Sequence, residues 1–141
     1  MNVIVRNVLA VIAGIAIGGF LNGTLITFGA SIYPPPEGVI PNNLEHIKTN
    51  LHRYSKVQLL VPFWAHAIGT LAGAFVTALI AATKKMSLAL LIGAFFLVGG
   101  IVMVVMVGGP IWFIMLDLLV AYFPMAFLGG LAASALIKSK K

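Results

Sequence analysis

The segment that decides the fold is QLLVPFWAHAIGTLAGAFVTALIAAT, residues 58–83. It contains no Asp, Glu, Lys or Arg. Its length exceeds that of about 20 mainly apolar residues, which a helix needs to cross a bilayer. Three more apolar runs of similar length occupy residues 8–31, 87–107 and 111–137. The sequence therefore predicts an all-α membrane protein, a four-transmembrane-helix bundle that forms a single domain over residues 1–141.

The composition favours lipid as the surrounding solvent. Of the 141 residues 61% are hydrophobic and only 9% are charged, whereas soluble domains average about 25% charged residues. The net charge is +6, but the basic residues lie at predicted helix ends and not on a basic face with interleaved aromatics, as nucleic-acid binding requires. The bilayer is thus the predicted partner, and nucleic acid is not.

The distribution of Lys and Arg predicts the orientation. Six of these nine residues fall on one side of the predicted bundle, at Arg6, Lys84, Lys85, Lys138, Lys140 and Lys141. The other three lie in the long loop, residues 32–57. Because short cytoplasmic segments carry the excess of positive charge, we expect a multi-pass protein of the bacterial inner membrane with both termini in the cytoplasm.

The long loop predicts two kinds of structure. The proline tract at residues 34–36 cannot be helical, because proline fixes φ and lacks an N–H. After Pro41, Asn42 is a candidate N-cap, with Glu45 as its capping-box partner. Apolar residues then recur at helical spacing, at Leu44, Ile47, Leu51 and Tyr54. This pattern predicts a short amphipathic periplasmic helix between the first and second transmembrane helices.

Small residues indicate how the helices pack. The second apolar run carries an unbroken row at spacing four, at Ala65, Gly69, Gly73, Thr77 and Ala81, and the first carries Gly14/Gly18 and Gly19/Gly23. Lipid supplies no hydrophobic drive between helices, so small residues that let backbones approach favour association. We expect the second helix to be the central, most buried one, and the surplus small faces to join a homo-oligomer or partner membrane subunits.

Three ionisable or amide side chains lie within the apolar runs at similar depth. Counting 1.5 Å per residue, Asn22, His66 and Asp117 lie about 13, 12 and 9 Å below the outer ends of their helices, and Thr70 lies one turn below His66. Intramembrane ionisable residues usually face the bundle interior and mark functional sites. The sequence therefore predicts one buried polar site in the outer half of the bundle.

The roles of these residues remain open between a functional and a structural interpretation. His66 is the candidate ligand for a haem iron or a general base, and Asp117 is the candidate for orienting it or holding a proton. Asn22 and Thr70, with His66, are the candidate cofactor- or ligand-binding residues. The alternative is that these groups only satisfy one another and fix the helix register, with Asn22 joining two helices.

Pro124 lies inside the fourth apolar run. Proline removes one backbone hydrogen bond, so it should kink this helix and free the carbonyl of Val120. A kink so close to Asp117 could open a cavity, although packing alone would also explain it.

Four segments carry a resemblance over most of the chain: Tyr33-Pro-Pro-Pro-Glu-Gly38, His66-Ala-Ile-Gly-Thr-Leu-Ala-Gly-Ala74, Pro110-Ile-Trp-Phe113 and Asp117-Leu-Leu. Together they resemble a group of uncharacterised four-span bacterial inner-membrane proteins. This resemblance implies the fold and the membrane, and it implies no activity.

A second resemblance concerns Ala65-His66, followed by Gly69 and Gly73, and the segment Leu128-Gly129-Gly130. These are similar to segments of styrene oxide isomerase, a small four-span membrane enzyme that works as a trimer with haem b. The resemblance implies that His66 is an axial ligand of haem iron. The catalytic Tyr and Asn of that family have no counterpart that can be placed in this sequence.

Three functional classes follow from these observations. The first is an intramembrane site for haem b or a small apolar molecule, with isomerase-type chemistry as an extension. The second is an accessory or structural subunit of a larger membrane complex. The third is a carrier of protons or a small solute, with His66 and Asp117 as a relay.

Overall fold

The computed structural model describes residues 2–41 and 43–139 of the chain. This part contains six α-helices and one 3₁₀ turn, Leu51–Arg53. The helices are α1 (Val3–Ile32), α2 (Leu44–Asn50), α3 (Lys56–Ile80), α4 (Lys85–Met106), α5 (Ile111–Val120) and α6 (Phe123–Ser139). Four stretches are long and apolar enough to cross a membrane, namely α1, α3, α4 and the pair α5–α6. The prediction of four apolar helices in an all-helical chain is confirmed.

Helix α3 is the centre of the bundle, as its small residues predicted. In its most apolar stretch 44% of the residues are buried, against 17–22% in the other three membrane-length helices. It packs against α1, α4, α5 and α6, and its buried side includes the predicted row from Ala65 to Thr77. Every other long helix is therefore positioned by α3, including those that supply the polar residues.

Helices α1 and α3 meet backbone to backbone at two pairs of glycines. A Cβ added to Gly18 would lie 2.7 Å from the carbonyl oxygen of Gly69, and one added to Gly69 would lie 2.8 Å from that of Gly18. Gly14 and Gly73 are related in the same way, at 2.6 Å in both directions. Any larger side chain would separate the helices, so these glycines set the distance between α1 and α3.

The loop helix forms where it was predicted, with a different cap. Helix α2 begins at Leu44, and its N-cap is Asn43, whose side chain accepts a hydrogen bond from the backbone N–H of His46 at 3.1 Å. The predicted cap, Asn42, lies outside the described residues. Its predicted pairing with Glu45 lies outside them as well, and the third residue after the observed cap is His46.

The two faces of the loop helix differ as its sequence pattern predicted. The apolar positions Leu44, Ile47, Leu51 and Tyr54 are half-buried. Glu45 and Lys48 are exposed.

The fourth apolar run is interrupted next to its proline. Helix α5 ends at Val120, Ala121 and Tyr122 form a turn, and α6 begins at Phe123. Pro124 has no N–H to offer the carbonyl of Val120, so the regular ladder cannot pass through this point. The predicted kink is thus a full break between two helices, and it begins four residues after Asp117.

The basic end of the bundle is tied together by hydrogen bonds to the last turn of α3. Arg6 Nε donates to the carbonyl oxygen of Ile80 at 2.6 Å, and Lys85 Nζ donates to that of Ala78 at 2.9 Å. Asn7 Oδ1 accepts from the backbone N–H of Ala82 at 2.9 Å. Cations favour the carbonyl end of a helix, so these side chains stabilise the end of α3 and bring α1 and α4 to the same side.

Candidate functional site

Three polar side chains meet in the interior, between α3 and the break in the fourth span. His66 Nδ1 lies 2.8 Å from Asp117 Oδ1, and the Tyr122 hydroxyl donates to Asp117 Oδ2 at 2.9 Å. The same hydroxyl oxygen lies 3.1 Å from His66 Nδ1. Asp117 is 3% exposed and Tyr122 is 2% exposed. We name His66, Asp117 and Tyr122 the polar triad.

The local sequence explains how the triad assembles. His66 lies on the buried side of α3, and Asp117 is the buried residue of α5. Tyr122 follows in the turn before α6, so the proline break places the phenol beside the carboxylate of the same span. Gly100 of α4 leaves room for the ring, because a Cβ there would lie 2.7 Å from Tyr122 Cζ. The triad therefore depends on three elements and one glycine.

A cavity of about 310 Å³ adjoins the triad and extends between α1, α3 and α4. Its lining consists of Asn22, His66, Gly69, Thr70, Phe96, Gly99, Gly100, Met103 and Tyr122. Two buried polar atoms in this lining, Thr70 Oγ1 and Asn22 Oδ1, have no hydrogen-bond partner in the part of the chain described. Thr70 is 1% exposed. A buried hydroxyl without a partner costs about 1–3 kcal/mol, so this cavity is a place where the fold leaves polar groups free.

Comparison with known proteins finds no matching family model, no matching curated protein and no matching solved structure. The two sequence resemblances given above therefore stay predictions, and the site has to be interpreted from its own geometry.

The structure places the four residues singled out from the sequence at one location. His66 and Asp117 are in direct contact, while Asn22 and Thr70 share the cavity with His66. Asn22 packs against α3, since a Cβ added to Gly69 would lie 3.1 Å from the Cβ of Asn22. Their functional roles remain predictions.

Tyr122 was missed from the sequence. A tyrosine in an apolar run is typical of aromatic packing or of the membrane interface, so its hydroxyl did not mark it as a site residue. The available signal was its position, two residues before Pro124 and five after Asp117. A helix break there turns the ring towards the carboxylate, and Gly100 provides the space.

Haem b does not fit this cavity within a single chain. The imidazole of His66 is a suitable iron ligand, with Asp117 as the carboxylate that commonly orients such a ring. However, about 310 Å³ lies at the lower end of small-molecule pockets, and an iron porphyrin is larger. No Lys or Arg lines the cavity to pair with the two propionates. Among the described residues, no group of three His, Cys, Asp or Glu side chains could hold a metal ion either.

The arrangement suits hydrogen bonding and proton transfer on a small molecule. Asp117 and Tyr122 engage only the Nδ1 side of the imidazole. His66 Nε2 makes no hydrogen bond with any described residue, and the ring lines the cavity with its side chain 16% exposed. A carboxylate that fixes one ring nitrogen orients the other towards a bound group, as in many sites that use histidine as an acid or base.

Proposed function

We propose that this chain is a small integral membrane protein that binds a small, mainly apolar molecule between α1, α3 and α4. His66 would hold the polar group of that molecule. The observation that carries the proposal is the Thr70 hydroxyl, which is buried beside the cavity without a partner. The hydrocarbon of a bilayer cannot satisfy such a group, and a ligand oxygen or nitrogen would do so.

The chemistry of the cavity supports a mostly apolar ligand. Phe96, Met103 and three glycines form most of its wall, and the polar atoms are few and concentrated near His66. Small-molecule sites typically combine an apolar wall with a small number of placed polar groups. Isomerase-type chemistry, with the His66–Asp117 pair passing a proton to or from the ligand, is the catalytic extension of this proposal.

The test is to identify what co-purifies with the protein. Organic extracts of protein purified from its native membrane would be compared by mass spectrometry between the wild type and Thr70→Leu, which fills the cavity. Thr24→Leu is the matched control, because Thr24 is exposed on α1 and donates only to its own helix, to Phe20 O. We expect a small molecule in the wild type and in Thr24→Leu that is depleted in Thr70→Leu. Identical extracts from all three proteins would contradict the proposal.

The proposed location is the bacterial inner membrane, with the basic end of the bundle in the cytoplasm. Support comes from Arg6 and Lys85, which lie together at the end of α3, since positive residues favour the cytoplasmic side. The chain has no cysteine, so single cysteines can report the topology. A membrane-impermeant thiol reagent should label Glu45→Cys in intact cells and should label Ser139→Cys only after lysis. The reverse pattern would overturn the orientation.

A second candidate function is that of a subunit in a homo-oligomer or a larger membrane complex. Gly19 and Gly23 lie on the exposed side of α1, and a Cβ at either would meet nothing within 4 Å among the described residues. Such a face suits close contact with another helix. Native mass spectrometry in mild detergent would test this, with Gly19→Leu expected to dissociate the assembly. A monomer in the wild-type preparation would contradict it.

The third class, a carrier of protons or a small solute, would need polar groups that continue from Thr70 towards the basic end. Thr77 is the buried hydroxyl in that direction, and it donates to Ala10 O at 3.2 Å. Its hydroxyl is thus engaged in helix contact. Proteoliposome flux that falls in Asp117→Asn would favour this class over a closed ligand site.

A further inference from the structure

We infer that the His66–Asp117 pair is neutral as a unit and presents an N–H to the cavity, so that the site takes an uncharged molecule with a hydrogen-bond-accepting oxygen. A ketone, an aldehyde or an ether has this chemistry. The inference rests on the proposed ligand site and specifies what that site would bind.

The first step concerns the charge of Asp117. Its carboxylate is 3% exposed, and its hydrogen-bond partners among the described residues are His66 and Tyr122. The basic side chains Arg6 and Lys85 are engaged at the opposite end of α3, and no Lys or Arg lines the cavity. An isolated carboxylate in an apolar interior is very costly. Only His66 is placed to balance it.

The second step concerns the position of the protons. Because the Tyr122 hydroxyl donates to Oδ2, a proton on the carboxyl group would lie on Oδ1, and a neutral pair then has two forms. In one, a protonated imidazole donates from Nδ1 to the Asp117 carboxylate; in the other, a protonated Asp117 donates to Nδ1 of a neutral imidazole. Both forms leave a hydrogen on Nε2. The remaining form has a bare Nε2 and a proton on Nδ1 only, and it would leave an unbalanced negative charge in the bundle.

Tyr122 is compatible with both neutral forms. Its hydroxyl donates to Asp117 Oδ2 at 2.9 Å, whereas His66 engages Oδ1 at 2.8 Å. The two partners thus use different oxygens of one carboxyl group, and His66 Nε2 takes part in neither contact. Tyr122 is a positioning residue that fixes the rotation of the carboxyl group.

The third step concerns the ligand. Nε2–H is free of partners among the described residues, and the unpaired hydroxyl of Thr70 lies one turn along the same helix. The Thr70 hydroxyl can donate or accept, and the unpaired Asn22 Oδ1 in the same lining accepts, so it is the Nε2–H of His66 that requires an acceptor on the ligand. An anion would bring uncompensated charge into the site, and a cation would find no carboxylate free to receive it. The remaining wall, which includes Phe96 and Met103, suits the apolar body of the molecule.

The test uses full-length protein labelled with ¹⁵N-histidine in nanodiscs. The chain has three histidines, so His66→Gln identifies the His66 signals, and His46→Gln is the matched control that leaves them in place. We expect a directly bonded hydrogen on His66 Nε2. A signal typical of a bare, pyridine-type Nε2 would overturn the inference.

Two probes of the same shape then separate this inference from the proposed function. Cyclohexanone carries an acceptor oxygen, and methylenecyclohexane replaces that oxygen with CH₂. We expect cyclohexanone to shift the His66 signals at a concentration about tenfold or more below that needed for methylenecyclohexane, because the latter leaves the buried N–H unpaired. An equal response to both probes would overturn the acceptor requirement while the ligand site stands. No response to either probe would overturn the ligand site itself.

Discussion

Replacing Gly100 of α4 by Ala should disrupt the polar triad by displacing the Tyr122 ring. A Cβ at Gly100 would lie 2.7 Å from Tyr122 Cζ and 2.9 Å from Cε2, where ordinary contacts begin at 3.4 Å. The ring therefore has to move by about 0.7 Å to reach an ordinary contact distance. This movement is costly, because the Tyr122 side chain is buried among Phe63, Ala67 and Ala121. A shift of that size is enough to disrupt the 2.9 Å bond to Asp117, since O–H···O bonds extend only to about 3.0 Å.

The adjacent glycine supplies the control for Gly100→Ala. Gly99 belongs to the same helix, and a Cβ there would meet nothing within 4 Å in the described part of the chain. Each replacement gains about 1 kcal/mol of helix propensity, so this gain cancels when the two variants are compared. Overpacking costs about 1–3 kcal/mol, and a lost hydrogen bond to a charged group costs about 1.5–3 kcal/mol. Gly100→Ala should thus be about 2.5–6 kcal/mol less stable than Gly99→Ala.

The measurement is unfolding by SDS in bicelles, followed by the fluorescence of Trp64 and Trp112. Repeating the comparison in a Tyr122→Phe background removes the hydrogen bond together with the hydroxyl, which is the Tyr122 atom nearest the added Cβ. In that background the cost of Gly100→Ala should fall, since the bond to Asp117 is already absent and only the ring clash remains. Equal stability of Gly100→Ala and Gly99→Ala would refute the reasoning, because it would mean that the ring is free to move away.

Three further predictions use matched positions and the same unfolding assay. Gly18→Ala should destabilise the bundle by about 1–3 kcal/mol, since its Cβ would lie 2.7 Å from Gly69 O. Gly19→Ala should not destabilise it, because its Cβ would meet nothing within 4 Å among the described residues. Equal effects would show that α1 and α3 can separate at no cost. Thr70→Val should leave stability unchanged or raise it, because it removes an unpaired hydroxyl, whereas Thr77→Val should cost about 0.5–1.5 kcal/mol through its lost bond to Ala10 O. Loss of stability in Thr70→Val would mean that its hydroxyl has a partner in the protein. Asp117→Leu should cost about 3–5 kcal/mol by breaking the buried pair with His66. Adding His66→Phe should restore part of that loss, and strictly additive costs would argue against a coupled pair.

The helices could be predicted from the sequence because lipid imposes a simple length rule, but their ends could not. The first span was predicted from Val8, and α1 in fact begins at Val3. Arg6 and Asn7 precede that predicted span, yet both are helical and bond to the end of α3 and the turn that follows it. The second span was predicted to reach Thr83, and α3 ends at Ile80. Hydropathy does not show where a hydrogen-bond ladder stops, particularly when side chains from another helix satisfy the freed groups.

The sequence predicts how deep the polar residues lie along their helices, but it does not predict which way each side chain points. Counting residues from the helix ends placed Asn22, His66 and Asp117 at one level, and the structure brings His66 and Asp117 into contact. The rotation of each helix depends on packing between glycines and on the break at Pro124, and no single-helix pattern contains that information. Tyr122 could not be assigned for the same reason, because its ring direction follows from a turn whose geometry depends on α4.

The three residues of the triad come from two separate segments of the chain, α3 and the fourth span with its break. Asp117 and Tyr122 belong to one continuous piece of backbone and are joined through Asp117 Oδ2, whereas His66 comes from α3 and contacts Oδ1. A small sliding of α3 would therefore detach the imidazole while the acid and the phenol stay linked.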